Sequence, residues 1–254
     1  MTKVMGIVNV TPDSFSDGGK YFRPEEAVKR ARNMIEEGAE IIDIGAESTR
    51  PGATPLSWHE EWDRLEEVLV NLSNPSNFSN PSNFSNPSNP SNFSTPSPLI
   101  SIDTYHPETA ERAIAAGAGM INCVYADHAA AMLSLCRDAN ASLVLPAKCL
   151  PLIKASQPSS QIYIDPMIGF GTTREEDLAL LKGVKELTAQ WPVLVGASRK
   201  RIVKKLTGEK VTGKNLGGNI AIAIWCAMAG AAIVRVHDVK ETVQALKVME
   251  ALCE

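Results

Sequence analysis

Eight short apolar runs recur along the chain, and most of the gaps between them carry the periodicity of amphipathic helices. The runs cover residues 4–8, 41–44, 99–102, 120–122, 142–145, 162–164, 193–196 and 232–236. Most are continuously apolar, which is typical of parallel strands covered on both faces. Strict alternation of such strands with helices predicts a closed (β/α)8 TIM barrel. An open doubly wound sheet is the alternative, but no GxGxxG motif follows the first strand.

The helical patterns are clearest at residues 24–37, 58–72, 107–116, 127–138, 175–187, 219–228 and 239–252. A length of 254 residues suits one barrel of this kind. We therefore predict one domain that spans residues 1–254.

Residues 73–98 interrupt the alternation with a repeat of Ser-Asn-Pro-Ser-Asn-Phe. Proline removes backbone donors, and Ser and Asn side chains compete for them, so we predict a disordered insertion. The tract joins the second helix to the third strand and therefore leaves from the rim where the strands begin. Active sites of such barrels lie at the opposite rim, so we expect the insertion to be neutral for function.

Charge and cysteine content restrict the class of protein. A net charge of −4 and a pI near 5.7 argue against a general binder of nucleic acids or membrane surfaces. No run approaches the length of a membrane span, and no signal-peptide pattern opens the sequence. The five cysteines are odd in number and lack CxxC spacing, which indicates a reducing, cytoplasmic setting.

Polar side chains follow seven of the eight predicted strands, where barrel enzymes carry their functional groups. Helix capping explains any one of them, but explains the whole set poorly. Asp103, Asn122, Asp165 and Lys200 could bind the aminopyrimidinone edge of a flat heterocycle through acceptors and an ammonium donor. Donors at the ends of the first and last strands suit a phosphate or pyrophosphate. These donors are Asn9, Arg235 and His237.

Six segments resemble the dihydropteroate synthase family. They are Asn-Val-Thr-Pro-Asp-Ser-Phe-Ser-Asp-Gly-Gly (9–19), Glu-Ser-Thr-Arg-Pro-Gly-Ala (47–53), Ser-Ile-Asp-Thr-Tyr (101–105), Asp-Pro-Met-Ile-Gly-Phe-Gly (165–171), Gly-Ala-Ser-Arg-Lys (196–200) and Arg-Val-His-Asp (235–238). The likeness covers nearly the whole chain apart from the repeat tract and residues 123–161. It implies a transferase of folate biosynthesis that joins 6-hydroxymethyl-7,8-dihydropterin pyrophosphate to p-aminobenzoate, with release of pyrophosphate.

The resemblance also implies a role for each matching residue. The pterin would be held by Asp103, Asn122, Asp165 and Lys200, in a pocket lined by Phe170 and Gly196. The pyrophosphate would be held by Asn9, Arg235 and His237, with Mg²⁺ near Asn9. The p-aminobenzoate would be framed by Thr49, Arg50 and Ser198. The catalytic side chains would be Asp17, Asp103 and Lys200. Asp17 would also help to close the site. The family likeness further implies a homodimer and a target of sulfonamides.

The segment after the fourth strand departs from the family pattern. Asn122 is followed by Cys123 where the family has aspartate, and Pro-Ala-Lys-Cys (146–149) replaces a Met-His-Met type of sequence. Only about sixteen residues join the fifth strand to the sixth, enough for a helix of a turn or two at 150–155. Two alternatives remain open. One is a non-catalytic pterin-binding paralogue, which keeps the anchor residues but cannot close a productive site. The other is a methyltransferase that uses methyltetrahydrofolate, which Asp103, Asn122 and Asp165 suit equally well.

Overall fold

Eight parallel strands form the framework of the computed structural model, which describes residues 1–11, 24–47, 54–73, 98–156, 161–211 and 213–254. They are β1 (Lys3–Asn9), β2 (Ile41–Gly45), β3 (Leu99–Asp103), β4 (Met120–Asn122), β5 (Ser142–Pro146), β6 (Ile162–Asp165), β7 (Leu194–Val195) and β8 (Ile233–Val236). The hydrogen-bonded order runs β6-β5-β4-β3-β2-β1-β8-β7. A parallel bridge between Ile164 and Val193 joins the two outer strands. The sheet is therefore a barrel, as predicted, and the open-sheet alternative is wrong.

Helices connect these strands and cover the outside of the barrel. They are α1 (Pro24–Glu36), α2 (Trp58–Ser73), α3 (Pro107–Ala115), α4 (Ala129–Asp138), α5 (Leu150–Ser156), α6 (Arg174–Lys182), α7 (Val184–Thr188), α8 (Arg201–Thr207), α9 (Leu216–Met228) and α10 (Val239–Cys253). The single helix predicted at 175–187 is two helices, because α6 ends at Lys182 and α7 begins at Val184, with Gly183 between them. In the part of the chain that is described, no helix has the length and apolar character needed to cross a membrane.

The barrel interior is filled by a layer of apolar side chains, here called the inner core. Its members are Met5, Ile41, Met120, Val144, Tyr163, Leu194 and Ile233, with Leu99 and Ala232 packed against them. Burying each large aliphatic side chain contributes roughly 1.5–3 kcal/mol. Since side chains of a strand alternate between its two faces, the next inward position on each strand lies two residues further on. Those positions form the next layer toward the mouth, the end of the barrel where the strands finish.

The repeat tract is inserted at the rim opposite the mouth. Helix α2 ends at Ser73 and β3 begins at Leu99, so the intervening chain joins the end of a helix to the start of a strand. This confirms which rim carries the tract. The predicted disorder of residues 73–98 falls almost entirely outside the described residues.

Candidate active site

A polar layer lies directly above the inner core. Each of its members is two residues beyond an inner-core residue or beyond Leu99, at the carboxyl ends of the strands. They are Asp43, Ser101, Asn122, Asp165, Gly196 and Arg235. The barrel thus brings five side chains and one glycine, each from a different strand or its end, to one mouth. Three predicted pterin residues and one predicted pyrophosphate residue share this layer.

Asp43 is the centre of the polar layer and is fully buried. One of its oxygens, Oδ1, accepts a hydrogen bond from Ser101 Oγ at 2.6 Å. The other, Oδ2, accepts from Arg235 Nε at 2.6 Å and from Asn122 Nδ2 at 3.1 Å. The sequence motifs did not predict Asp43 as a site residue. The alternation of side chains along β2 could have predicted Asp43, because every second residue counted from Ile41 points inward.

Arg235 bridges two carboxylates of the mouth. Besides the bond to Asp43, its Nη2 donates to Asp103 Oδ2 at 2.7 Å. Burial disfavours the guanidinium charge, but Asp43 and Asp103 outweigh it and raise the pKa of Arg235. Burial raises the pKa of Asp103 to about 7; Arg235 opposes this shift and Asp43 reinforces it. Arg235, expected beside pyrophosphate, therefore contacts Asp103, a side chain expected to hold the pterin.

Lys200 and Phe170 form a second part of the mouth. Lys200 Nζ donates to the carbonyl of Ile168 at 2.6 Å and lies 4.2 Å from the centroid of the Phe170 ring. Burial lowers the pKa of Lys200 to about 8, although Asp165 opposes the shift. Burial has the opposite effect on the carboxyl group of Asp165 and raises its pKa, although Lys200 opposes this shift. A Cβ at Gly196 would lie 4.0 Å from Lys200 Nζ, so the absence of a side chain there keeps space beside this cation.

The loop after β6 is held in a shape that places Phe170. Gly169 has a φ of +79°, and a Cβ at that position would lie 2.9 Å from Lys200 Cδ, so only glycine fits without a shift. The buried carboxylate of Asp177 accepts from Gly169 N at 2.7 Å and from Thr172 Oγ1 at 2.5 Å. The loop is therefore anchored on both sides of the aromatic ring.

Ser198 and His237 meet where β7 and β8 end. Ser198 Oγ lies 3.1 Å from His237 Nδ1 and accepts from the His237 backbone N–H at 3.3 Å. A residue expected beside aminobenzoate is thus joined to one expected beside pyrophosphate. Asn9 ends the neighbouring strand β1 and is half-buried. Asp17, Thr49 and Arg50 lie outside the described residues.

Glu47 and Tyr105 form a contact at the edge of the mouth that the sequence motifs did not predict. Tyr105 donates through its hydroxyl to Glu47 Oε1 at 2.7 Å, and its ring packs against Tyr125 with centroids 4.6 Å apart. Nε2 of His106 lies 3.7 Å from Oε2 of Glu47. Glu47 is the last described residue before residues 48–53.

The residue after Asn122, where the sequence departs from the family pattern, lies in apolar surroundings. Cys123 is buried, and its thiol donates to the Tyr125 carbonyl at 3.4 Å. Burial raises the pKa of Cys123 to about 12, so the thiol is neutral at physiological pH. The short helix α5 confirms the predicted turn or two in the crossover between β5 and β6.

Comparisons with known proteins give one consistent result. A family model described as "Pterin binding enzyme" matches residues 5–79, 92–157 and 150–237. The dihydropteroate synthase of Streptococcus pyogenes serotype M6 is 35% identical, over 98% of this chain and 95% of that protein. The dihydropteroate synthase of Xanthomonas albilineans, solved with 4-aminobenzoic acid, has a TM-score of 0.84 and 36% identity, over 99% of this chain and 93% of that chain. The Yersinia pestis enzyme, solved in a sulfonamide drug complex, has a TM-score of 0.81 and 32% identity, over 99% and 94% of the two chains.

Proposed function

The chain belongs to the dihydropteroate synthase family of pterin-binding enzymes, and from this premise we propose how its barrel mouth performs the family's reaction. The protein is a transferase of folate biosynthesis that condenses 6-hydroxymethyl-7,8-dihydropterin pyrophosphate with p-aminobenzoate. The assignment of individual residues to steps of that reaction is our proposal. It is carried by one observation, the polar layer of acceptors and cations directly above the apolar inner core.

The pterin binds at the mouth through Asn122 and Asp165 of the polar layer and through Asp103 and Lys200 beside that layer. Asn122 Oδ1 is buried and has no partner among the described residues, so it is available to accept from a ring N–H group. Carboxylates accept from amino groups, and the Lys200 ammonium donates to a ring carbonyl or nitrogen. The Phe170 ring and the open space at Gly196 accommodate the flat ring system. Leaving such buried polar atoms unpaired costs about 1–3 kcal/mol each, which favours a ligand that pairs them.

Asn9, Arg235 and His237 receive the pyrophosphate. Asn9 offers one neutral amide oxygen, and the described residues contain no group of three His, Cys, Asp or Glu that could hold a metal ion. This fits Mg²⁺ that arrives with its phosphates, because Mg²⁺ commonly uses one or two protein oxygens plus phosphates and waters. When bound, the ion would neutralise charge on the departing pyrophosphate. Arg235 and His237 supply donors to the same anion.

Bond breaking begins at the methylene carbon of the pterin. Its bond to the pyrophosphate oxygen breaks with the electron pair leaving on oxygen, and a cation conjugated with the ring remains. Asp103 and Asp165 lie at the mouth and stabilise this charge as it develops. The amine of p-aminobenzoate then forms the new C–N bond and loses a proton. Because water would also capture the cation, the site must close before the bond breaks.

Closure and the second substrate involve parts of the chain outside the described residues. We assign Thr49 and Arg50 to p-aminobenzoate together with Ser198, which His237 holds at the end of β7. Asp17 would help to close the mouth. A sulfonamide resembles p-aminobenzoate, and the Yersinia pestis relative is named as a sulfonamide complex. We therefore expect a sulfonamide to compete with p-aminobenzoate in steady-state kinetics.

Exposed apolar side chains on the neighbouring helices α9 and α10 support a homodimer. Trp225, Met228, Val248 and Leu252 are each more than half exposed. Exposed apolar side chains grouped on one side of a protein mark interaction surfaces. Trp225→Lys should therefore shift the protein from dimer to monomer in sedimentation experiments, and an unchanged dimer would contradict this interface.

We also propose a cytoplasmic location and a single domain over residues 1–254. The five cysteines are free, and four of them are buried. Free thiols persist in a reducing compartment.

The single domain is supported by the pairing of strands from both ends of the chain, since β1 pairs with β8 in the barrel.

The direct test is a pyrophosphate-release assay with both substrates, beside a titration with the bare pterin alcohol. We expect release only when both substrates are present, and formation of dihydropteroate. Asp165→Asn should lower pterin affinity and turnover, because an acceptor-only carboxylate becomes a group with one acceptor. Asp138→Asn, the same change on an exposed site of α4, is the matched control and should have no effect. Pterin binding without any pyrophosphate release would favour the binding-only paralogue.

A further inference from the structure

We propose that Asp43 is a positioning residue of the pterin site, which orients the Asn122 amide and holds the Arg235 guanidinium. This inference rests on the proposed function, because it assigns a role toward the same ligand. Asp43 itself is fully buried, with both oxygens engaged by side chains of the polar layer. It therefore acts on the ligand through its neighbours.

The hydrogen bond between Asp43 and Asn122 decides which end of the amide faces the ligand. Asp43 Oδ2 accepts from Asn122 Nδ2 at 3.1 Å and from Arg235 Nε at 2.6 Å, so this oxygen serves both side chains as an acceptor. A flipped amide would place two acceptor oxygens at that distance. Since the amide is planar, Oδ1 points away from Asp43, and it is buried without a partner among the described residues. Asp43 thus makes the unpaired end of Asn122 an acceptor.

The same carboxylate also fixes the plane of the Arg235 guanidinium. Nε is bonded to Asp43 at 2.6 Å and Nη2 to Asp103 at 2.7 Å, on two different strands. Two bonds to separate nitrogens of one planar group leave it no rotation about its long axis. Without Asp43, Arg235 would keep one anchor and could swing toward other acceptors in the mouth.

The consequence is a specific pattern of donors and acceptors. A pocket whose Asn122 presents Oδ1 selects a ring N–H, whereas one that presents Nδ2 selects a ring acceptor. A site built to pair a ligand polar group discriminates strongly against ligands that leave it unpaired. We infer that Asp43 sets this choice without touching the ligand.

The experiment compares two variants of Asp43 with the unmodified protein by titration with 6-hydroxymethyl-7,8-dihydropterin, the bare alcohol. Asp43→Asn keeps an acceptor oxygen toward Asn122 and Arg235, while its new amide can donate to Ser101 Oγ, which is 2.6 Å from Asp43 Oδ1. It should keep affinity within about threefold, since the orientation of Asn122 survives. Asp43→Ala removes the acceptor and should weaken binding by at least about tenfold, equal to about 1.4 kcal/mol. If Asp43→Ala does not fold, Asp43→Val, which fills more of the space, replaces it.

A double-mutant cycle with Asn122→Ala then tests the coupling. If Asp43 acts through Asn122, the double variant should lose less affinity than the product of the two single losses, by a factor of at least about three. Leu246→Ala, a buried change in α10 at a residue outside the polar layer, is the control for lost stability. It should unfold more easily, yet bind the alcohol normally at a temperature where it is folded.

The outcomes separate this inference from the proposed function. Equal losses for Asp43→Asn and Asp43→Ala would mean that only the charge of Asp43 matters, and independent effects in the cycle would overturn the orienting role. Normal binding by Asp43→Ala would do the same. If the unmodified protein fails to bind the alcohol, the proposed function itself is wrong.

Discussion

The ammonium nitrogen of Lys200 lies over the ring of Phe170, 4.2 Å from its centroid. The contact joins the loop after β6 to the start of α8, two neighbouring sides of the mouth. A cation over an aromatic face is worth roughly 0.5–1 kcal/mol when exposed and about 2 kcal/mol when desolvated. Lys200 is further held by the Ile168 carbonyl, so the aromatic ring and that carbonyl together determine where its charge points.

We predict that Phe170→Leu weakens binding of the pterin alcohol by about threefold to thirtyfold, the range that corresponds to about 0.5–2 kcal/mol. The substitution removes both the aromatic face and its contact with Lys200. Fluorescence titration at constant pH measures the effect. Phe170→Tyr retains the ring and should bind nearly as well as the unmodified protein. If the leucine and tyrosine variants bind equally, the aromatic face has no role.

Arg235 and His237 should differ in their effects on the two forms of the pterin. Because Arg235 contacts Asp43 and Asp103, Arg235→Ala should weaken both the bare alcohol and its pyrophosphate ester. His237→Ala should weaken the ester alone, since His237 belongs to the group at the ends of β7 and β8. Calorimetric titration of each variant with both ligands tests this. Normal binding of the alcohol by Arg235→Ala would restore the sequence-based view that Arg235 serves only the pyrophosphate.

Arg235→Ala should also destabilise the fold. The change leaves the buried carboxylate of Asp43 and the partly exposed carboxylate of Asp103 without their shared cation, and breaking a buried ion pair such as that with Asp43 costs about 3–5 kcal/mol. Urea unfolding measures the loss. Arg174→Ala, which breaks an exposed pair with Glu175, is the control and should change stability by less than about 1 kcal/mol.

Glu61 should make stability depend on pH. Its side chain is fully buried, and burial raises its pKa to about 7 although hydrogen bonds from Thr109 and Thr104 oppose the shift. Between pH 4.5 and about 7 the folded protein therefore keeps a proton that the unfolded chain has lost. The contribution to stability is full below that window and is lost as the pH rises through it, by about 1.4 kcal/mol per pKa unit.

Glu61→Gln supplies the comparison, because an amide does not titrate and can still accept the hydrogen bond that Thr104 Oγ1 donates at 2.7 Å. In urea unfolding from pH 4 to pH 8, the unmodified protein should lose stability relative to this variant as the pH rises. Parallel stability curves for the two proteins would show that Glu61 does not titrate in this window.

The repeat tract should be dispensable for ligand binding. Its ends, Ser73 and Leu99, lie at the rim opposite the mouth. Replacing the chain between them with a Gly/Ser linker of roughly ten residues should leave pterin affinity unchanged, since loop-closure entropy varies only weakly with length. A loss of affinity beyond about tenfold, or about 1.4 kcal/mol, would contradict this placement.

The sequence by itself determined the framework of the fold. Continuous apolar runs and helical periodicity are local properties, and they predicted the strands to within a residue or two at each end. The motifs at the strand ends predicted which side chains reach the mouth, because a parallel barrel brings all strand ends to one rim. Helix α8 and the break at Gly183 were missed, since short helices carry too few residues for a clear period.

Only the tertiary structure decided how the side chains at the mouth pair. Arg235 and Asp43 are 192 residues apart, and their contact exists because β1 pairs with both β2 and β8. No local pattern contains that information. The sequence separated Arg235 from the predicted pterin residues, whereas closure of the barrel places it between Asp43 and Asp103. The pairing depends on which strands become neighbours and on the two-residue alternation that turns each side chain inward.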